Sequence, residues 1–121
     1  MSRLWLPTIV LAAALAGCVT PSIPVPPPDP QAMTFEVDAT SGTATFSYRG
    51  DVSLAGATVY VFDRRLGQGV IDTAHADGSV GPTPPFAAAP GDDVDVTFQL
   101  GEQSEGTCVV LAAGTPSSVC F

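Results

Sequence analysis

The sequence predicts an all-β fold, a single small antiparallel β-sandwich of about seven to eight strands that follows an N-terminal leader and a proline-rich linker. Beyond residue 32, short runs rich in Val, Thr, Phe and Tyr are separated by clusters of Gly, Pro and Asp. No window in that region repeats apolar residues at helical spacing for three turns. With 121 residues, the chain has room for one domain.

The charge balance limits what the protein binds. Four basic residues, all arginine, stand against 12 acidic residues, which gives a formal net charge of −8. Nucleic-acid binding needs a clustered basic surface, so DNA and RNA are excluded as expected partners. One histidine and three cysteines leave few ways to build a metal site, and no cofactor is expected.

Residues 1–17 are interpreted as a secretory signal peptide. Arg3 provides the positive start, and residues 4–16 form an apolar run interrupted only by Pro7 and Thr8. As a helix this run spans about 20 Å, which is too short for a permanent membrane span.

The stretch Leu15-Ala16-Gly17-Cys18 resembles the lipobox of bacterial lipoproteins. The resemblance implies that Cys18 carries a diacylglyceryl group with acyl chains such as palmitate, that cleavage occurs before Cys18, and that the acyl chains anchor the protein in a lipid bilayer. Val19 is not the aspartate associated with inner-membrane retention, which favours the outer membrane. The alternative is an ordinary signal peptide with a cysteine at the cleavage site.

Residues 18–32 are predicted to form a tether between the lipidated Cys18 and the domain at 33–121. Six of the residues from 19 to 32 are proline, which favours polyproline geometry and a semi-rigid spacer of up to about 40 Å. Without Arg3, three arginines face twelve carboxylates, a net charge of −9. The acyl chains rather than the protein surface must then hold the domain at the membrane.

The strands are placed from alternation of apolar and polar residues and from turn signals. In Thr43–Tyr48, for example, Ala44, Phe46 and Tyr48 share one face. The region containing Pro82, Pro84 and Pro85 is expected to be an edge strand or a crossover. The predicted strands are Met33–Asp38, Thr43–Tyr48, Ala57–Asp63, Gly69–Ala76, a poor strand within Val80–Ala88, Val94–Leu100, Thr107–Ala112 and Ser118–Phe121.

Two turns follow from local chemistry. Asp77-Gly78 is typical of a tight turn and predicts a hairpin between 69–76 and 80–86. Pro90-Gly91 fits a type II turn that leads into the strand at Val94.

A disulfide is expected between Cys108 and Cys120, the pair that remains once Cys18 is lipidated. In an antiparallel hairpin with its turn at Ala112–Pro116, around Gly114, the two cysteines face each other. The alternative is a redox pair, although the spacing is not C-x-x-C.

Three segments resemble the repeated pattern of bacterial Ig-like and carboxypeptidase-regulatory-like (transthyretin-like) sandwiches: Gly56–Val61, Ala76–Val80 and Ala89–Val96. The resemblance covers about residues 55 to 112 and implies a non-catalytic accessory or adhesive module. The prolines at 82–85 depart from it, because those domains carry a regular strand there.

Candidate chemistry is sparse. His75 is the single histidine, so a small exported hydrolase would have to be centred on it, yet no serine lies in a G-x-S-x-G elbow. Arg49-Gly50-Asp51 matches the integrin-recognition tripeptide in a predicted loop, where Gly-Asp is also ordinary turn chemistry.

Five carboxylates form a weak calcium candidate: Asp92, Asp93 and Asp95, with Glu102 and Glu105 beyond the next strand. The alternative is a set of solvated loop carboxylates. The function expected from the sequence is a membrane-anchored lipoprotein of the bacterial cell envelope, in the periplasm or at the cell surface. It would be a non-catalytic binding or structural module for an unknown protein or glycan. A hydrolase and a calcium-stabilised adhesin are the alternatives.

Overall fold

The computed structural model describes residues 24–121, and in this range it contains two antiparallel β-sheets and no α-helix. The predicted leader and Cys18 lie outside the described residues. Two short 3-10 turns, Pro30–Ala32 and Val52–Leu54, precede β1 and β3. The strands are β1 (Met33–Asp38), β2 (Thr43–Tyr48), β3 (Thr58–Asp63), β4 (Gln68–Thr73), β5 (Phe86–Ala87), β6 (Asp93–Leu100), β7 (Gln103–Val110) and β8 (Val119–Cys120).

The strands form the predicted sandwich. One sheet has the order β1-β2-β5, and the other has the order β4-β3-β6-β7-β8. In β2, β3 and β6, alternate residues are buried, as expected for strands that turn one face to a shared core. Strand β3 lies between β4 and β6, which agrees with its bulky residues on both faces.

Aromatic side chains join the two sheets in the core. Phe35 and Phe46 lie with ring centroids 5.3 Å apart, and Tyr48 meets Phe98 edge-on at 4.9 Å. Phe98 belongs to β6, so the last pair connects the two layers directly. Aliphatic residues of the five-stranded sheet fill the remaining space, among them Val59, Val61, Val94, Val96 and Val109.

The chain turns at Asp77-Gly78, but the predicted hairpin is wrong. The Gly78 N–H donates to the His75 carbonyl at 2.9 Å, and Gly78 has φ +81°, so the tight turn is present. However, β4 pairs with β3, whereas Val80 bridges to Tyr48 in the other sheet. The turn therefore starts a crossover between the sheets.

The proline-containing segment behaves as predicted. Between Val80 and Ala88 only the two residues of β5 pair as a strand, at the edge of the three-stranded sheet. Thr83 holds the segment to β2, because its N–H donates to the Phe46 carbonyl and its hydroxyl accepts the Phe46 N–H. The Thr83 hydroxyl thus accepts the Phe46 N–H in the place that a backbone carbonyl of a neighbouring strand would take.

The disulfide prediction is confirmed. Cys108 of β7 pairs with Cys120 of β8 in antiparallel register, with the Cα atoms 4.9 Å apart. Strand β8 has only two residues, so the covalent bond is a large part of what holds it to the sheet. Gly114 in the connecting loop bridges to Phe35 of β1, which ties this loop to the opposite sheet.

The last part of the predicted tether packs against the sandwich. We call residues 24–29 the proline strap. Val25 is only 6% exposed and belongs to the core. Its N–H donates to Gln103 Oε1 at 2.6 Å, and the Thr107 hydroxyl donates to the Pro28 carbonyl at 2.9 Å. The strap therefore lies along β7.

The domain consequently begins earlier than predicted. Beyond the two contacts with β7, the Asp29 N–H donates to the Tyr48 hydroxyl at 2.9 Å, and Asp29 caps the 3-10 turn that leads into β1. The boundary between tether and domain therefore lies near Val25 instead of Met33. The sequence interpretation treated proline as a spacer, whereas here it forms part of the packed unit.

Candidate functional site

The outer face of the five-stranded sheet carries an apolar groove of about 410 Å³. Tyr60 and Phe62 of β3 lie opposite Ile71 and Gly69 of β4. Ile71 is 67% exposed and Phe62 is 43% exposed. A Cβ atom on Gly69 would overlap the Val61 carbonyl oxygen, so the close approach of the strands requires glycine. The absence of a side chain there leaves the Phe62 ring uncovered.

Strand β4 is also an edge of its sheet. It comes at one end of the strand order, and β3 is its one hydrogen-bonded neighbour within residues 24–121. Four of its six residues are exposed. An edge strand can pair with a strand of another chain, and an adjacent apolar groove can hold that strand's side chains. The groove and the edge together form what we call the β3–β4 surface.

Two ion pairs hold the turn between β3 and β4. Arg64 binds Asp95 through two contacts, from Nε to Oδ2 at 2.7 Å and from Nη2 to Oδ1 at 2.8 Å. Arg65 Nε donates to Asp92 Oδ1 at 2.6 Å. Phe62, an exposed residue of the groove, lies just before this turn. The two ion pairs therefore fix the turn that adjoins the groove.

The five calcium candidates do not converge. Asp92 and Asp95 are directed toward arginines, and Asp93 lies at the end of β6 that pairs with the last residue of β7. Glu102 and Glu105 lie at or near the β6–β7 turn, at the opposite end of the sheet. The structure therefore does not gather these carboxylates into one site.

Asp93 lies beside the disulfide instead. One carboxylate oxygen and the two sulfur atoms of Cys108 and Cys120 fall within 4.8 Å of one another. The sulfur atoms are bonded to each other, so they are not free thiolates that could bind a metal.

Asp63 and Asp92 form a buried acidic pair that the sequence interpretation missed. Burial and the neighbouring Asp92 carboxyl group raise the pKa of Asp63. The hydrogen bond from Arg65 lowers the pKa of Asp92 to about 2. Alternation could have revealed Asp63, because it shares the buried face of β3 with Val59 and Val61.

His75 and the Arg49–Asp51 loop both lie at the surface. His75 is exposed, and its side chain makes no hydrogen bond or ion pair within residues 24–121. The Asp51 carboxylate accepts the N–H and hydroxyl of Ser53, so it caps the following 3-10 turn. A polar groove of about 530 Å³ separates this loop from the proline strap.

Comparison with known proteins gives no relative. No family model, curated protein or solved structure matches the chain. The resemblances to a lipobox and to Ig-like or transthyretin-like sandwiches therefore remain predictions. Within residues 24–121 no helix is both long and apolar enough to span a bilayer.

Proposed function

We propose that this chain is a lipid-anchored protein of the bacterial cell envelope, attached through Cys18, and that its domain is a non-catalytic module that binds another protein. The four residues Leu15–Cys18, preceded by Arg3 and an apolar run, support the anchor. The Cys108–Cys120 disulfide is consistent with export, since such bonds persist in oxidising compartments.

The β3–β4 surface carries the binding proposal. Exposed large apolar side chains that lie together mark interaction sites more often than isolated ones do. Here Phe62 and Ile71 line one groove beside an open strand edge. A protein segment fits this combination better than a glycan, because it supplies both backbone hydrogen bonds for the edge and apolar side chains for the groove.

Crosslinking on intact cells of the native host tests this surface. Ile71→Asp places a charge in the groove, and we expect it to reduce recovery of the crosslinked protein at least about tenfold. Val52→Asp is the matched control, since Val52 is 77% exposed and lies outside the groove. Unchanged crosslinks with Ile71→Asp, together with unchanged folding, would show that the partner binds elsewhere.

Mass spectrometry tests the anchor separately. We expect the protein from its native host to begin at Cys18 with acyl chains attached, and Cys18→Ala to abolish its recovery in the membrane fraction. A bare Cys18 thiol with the leader still present would contradict the anchoring, without bearing on the β3–β4 surface.

A further inference from the structure

Asp63 is a fully buried acid with an incomplete set of partners. It is 0% exposed at the end of β3, on the face that points into the sandwich. Its Oδ1 atom accepts the Leu66 N–H at 2.9 Å. Its Oδ2 atom has no hydrogen-bond donor within residues 24–121. A buried carboxylate oxygen without a donor carries a large desolvation cost.

The acid that Asp63 faces is much better satisfied. Asp92 Oδ1 accepts from Arg65 Nε at 2.6 Å, and Asp92 Oδ2 accepts the Ala89 N–H at 3.0 Å. The Asp63 and Asp92 carboxyl groups are neighbours, because Arg65, two residues after Asp63, binds Asp92 and each acid shifts the pKa of the other. Two adjacent buried carboxylates cannot both be ionised without strong repulsion. The negative charge therefore belongs on Asp92.

We propose that Asp63 and Asp92 share one proton, which is bound to Asp63 Oδ2 and donated to the Asp92 carboxylate, and that this proton latches the β3–β4 turn to the Ala89–Asp92 turn. The proton comes from solvent and returns to it when Asp63 ionises. The missing donor at Asp63 Oδ2 is then the hydrogen of the acid itself, and both oxygens of Asp63 are satisfied.

A bound cation would be the other way to satisfy the pair, and the surroundings oppose it. Arg65 already supplies a positive charge to Asp92. The strand neighbours of Asp63 are Gln68 on β4 and Val94 on β6, and neither is charged. Arg64, the remaining nearby cation, is bound to Asp95. Calcium requires six to eight oxygen ligands, far more than two carboxylates provide.

The latch has a defined dependence on pH. Burial and the contact with Asp92 raise the pKa of Asp63, so the folded state holds this proton more tightly than the unfolded chain. The stabilisation is complete below the unfolded pKa of about 3.9. It is lost as the pH rises through the folded pKa. Between these values the unfolding equilibrium constant increases about tenfold per pH unit from this group alone.

The experiment compares the pH dependence of urea unfolding in the wild type, Asp63→Asn and Glu36→Gln. An asparagine amide donates to Asp92 as the protonated acid does, so we expect Asp63→Asn to stay folded. Its free energy of unfolding should no longer decline toward higher pH. Glu36→Gln makes the same carboxyl-to-amide change at an exposed side chain and is the matched control.

A second measurement identifies the proton directly. Carboxyl-carbon NMR of the wild type should show Asp63 still protonated at a pH where the exposed aspartates are ionised. As Asp63 titrates, hydrogen exchange of the Leu66 amide should become faster in the wild type than in Asp63→Asn. Titration of Asp63 at or below about 3.9, or an unchanged pH slope in Asp63→Asn, would overturn the proposal. So would a calcium-induced rise in the melting temperature that Asp63→Asn abolishes.

Discussion

Shortening the Val25 side chain in the proline strap should destabilise the domain. Val25 is 6% exposed and packs in the core. Val25→Ala removes two methyl-sized groups at about 0.8 kcal/mol each, and the residual cavity adds to this cost. We expect a loss of about 2 kcal/mol in the free energy of unfolding. For a domain of this size that corresponds to a fall of about 8 to 16 °C in the melting temperature.

The matched control is Val52→Ala, which makes the same chemical change at a side chain that is 77% exposed. A surface change of this kind is expected to alter the free energy of unfolding by less than about 0.5 kcal/mol. Urea unfolding followed by far-ultraviolet circular dichroism gives the free energy of unfolding of both variants. The denaturant slope shows whether the two variants expose the same surface area on unfolding.

The comparison can refute the assignment of the strap to the domain. If Val25→Ala and Val52→Ala behave alike, the strap does not pack against β7 in solution, and the boundary returns to Met33. A loss confined to Val25→Ala would show that the folded unit includes residues far into the proline-rich stretch.

Three further changes follow from the fold. Replacing Cys108 and Cys120 by alanine should cost about 3 kcal/mol in urea unfolding, the chain-entropy value for this short loop; no difference from reduced wild type is expected. Gly78→Ala should cost more than about 3 kcal/mol, because its Cβ would overlap backbone atoms of the neighbouring loop, whereas Gly91→Ala, in open space at positive φ, should cost about 1 kcal/mol. An arginine lowers the pKa of Asp92 to about 2, so the contribution of Asp92 to stability is present above about pH 4 and is lost as the pH falls. In Asp92→Asn the urea midpoint of unfolding should therefore fall less steeply as the pH is lowered below about 4.

Strand positions could be predicted because they depend on alternation along one segment. β1 and β2 have the predicted bounds, Met33–Asp38 and Thr43–Tyr48, since each has one buried face and ends in turn-forming residues. β4 ends at Thr73 rather than Ala76, because the chain leaves the sheet there to cross to the other layer. Local sequence contains no signal for that departure.

Pairing partners were harder to predict than strands. Asp77-Gly78 was correctly interpreted as a turn, yet a turn says only that the chain reverses. Val80 pairs with Tyr48, which is remote in sequence, and the turn residues carry no information about that partner. The hairpin that contains the disulfide was predicted correctly, because Cys108 and Cys120 add a constraint between two strands to the turn signal.

The proline strap and the acid pair were missed for a related reason. Proline excludes a regular ladder, but it does not prevent side chains such as Gln103 and Thr107 from binding the backbone of the strap. Alternation on β3 places Asp63 on the buried face, where an acid without a partner is unfavourable. Its partner Asp92 lies in a different turn, so alternation along β3 could not reveal the pair.

The strap also restricts how the proposed anchor can orient the domain. From Cys18 to Val25 the chain can reach at most about 25 Å, well below the spacing of about 40 Å expected for the whole tether. Val25 is fixed at Gln103, where β7 begins. The β3–β4 turn lies at the opposite end of the same sheet, because Asp63 pairs with Val94 near the start of β6. If Cys18 is lipidated, the short connection therefore favours an orientation with the β6–β7 turn toward the bilayer and the β3–β4 turn away from it. In that orientation a partner has access to the groove that adjoins the β3–β4 turn.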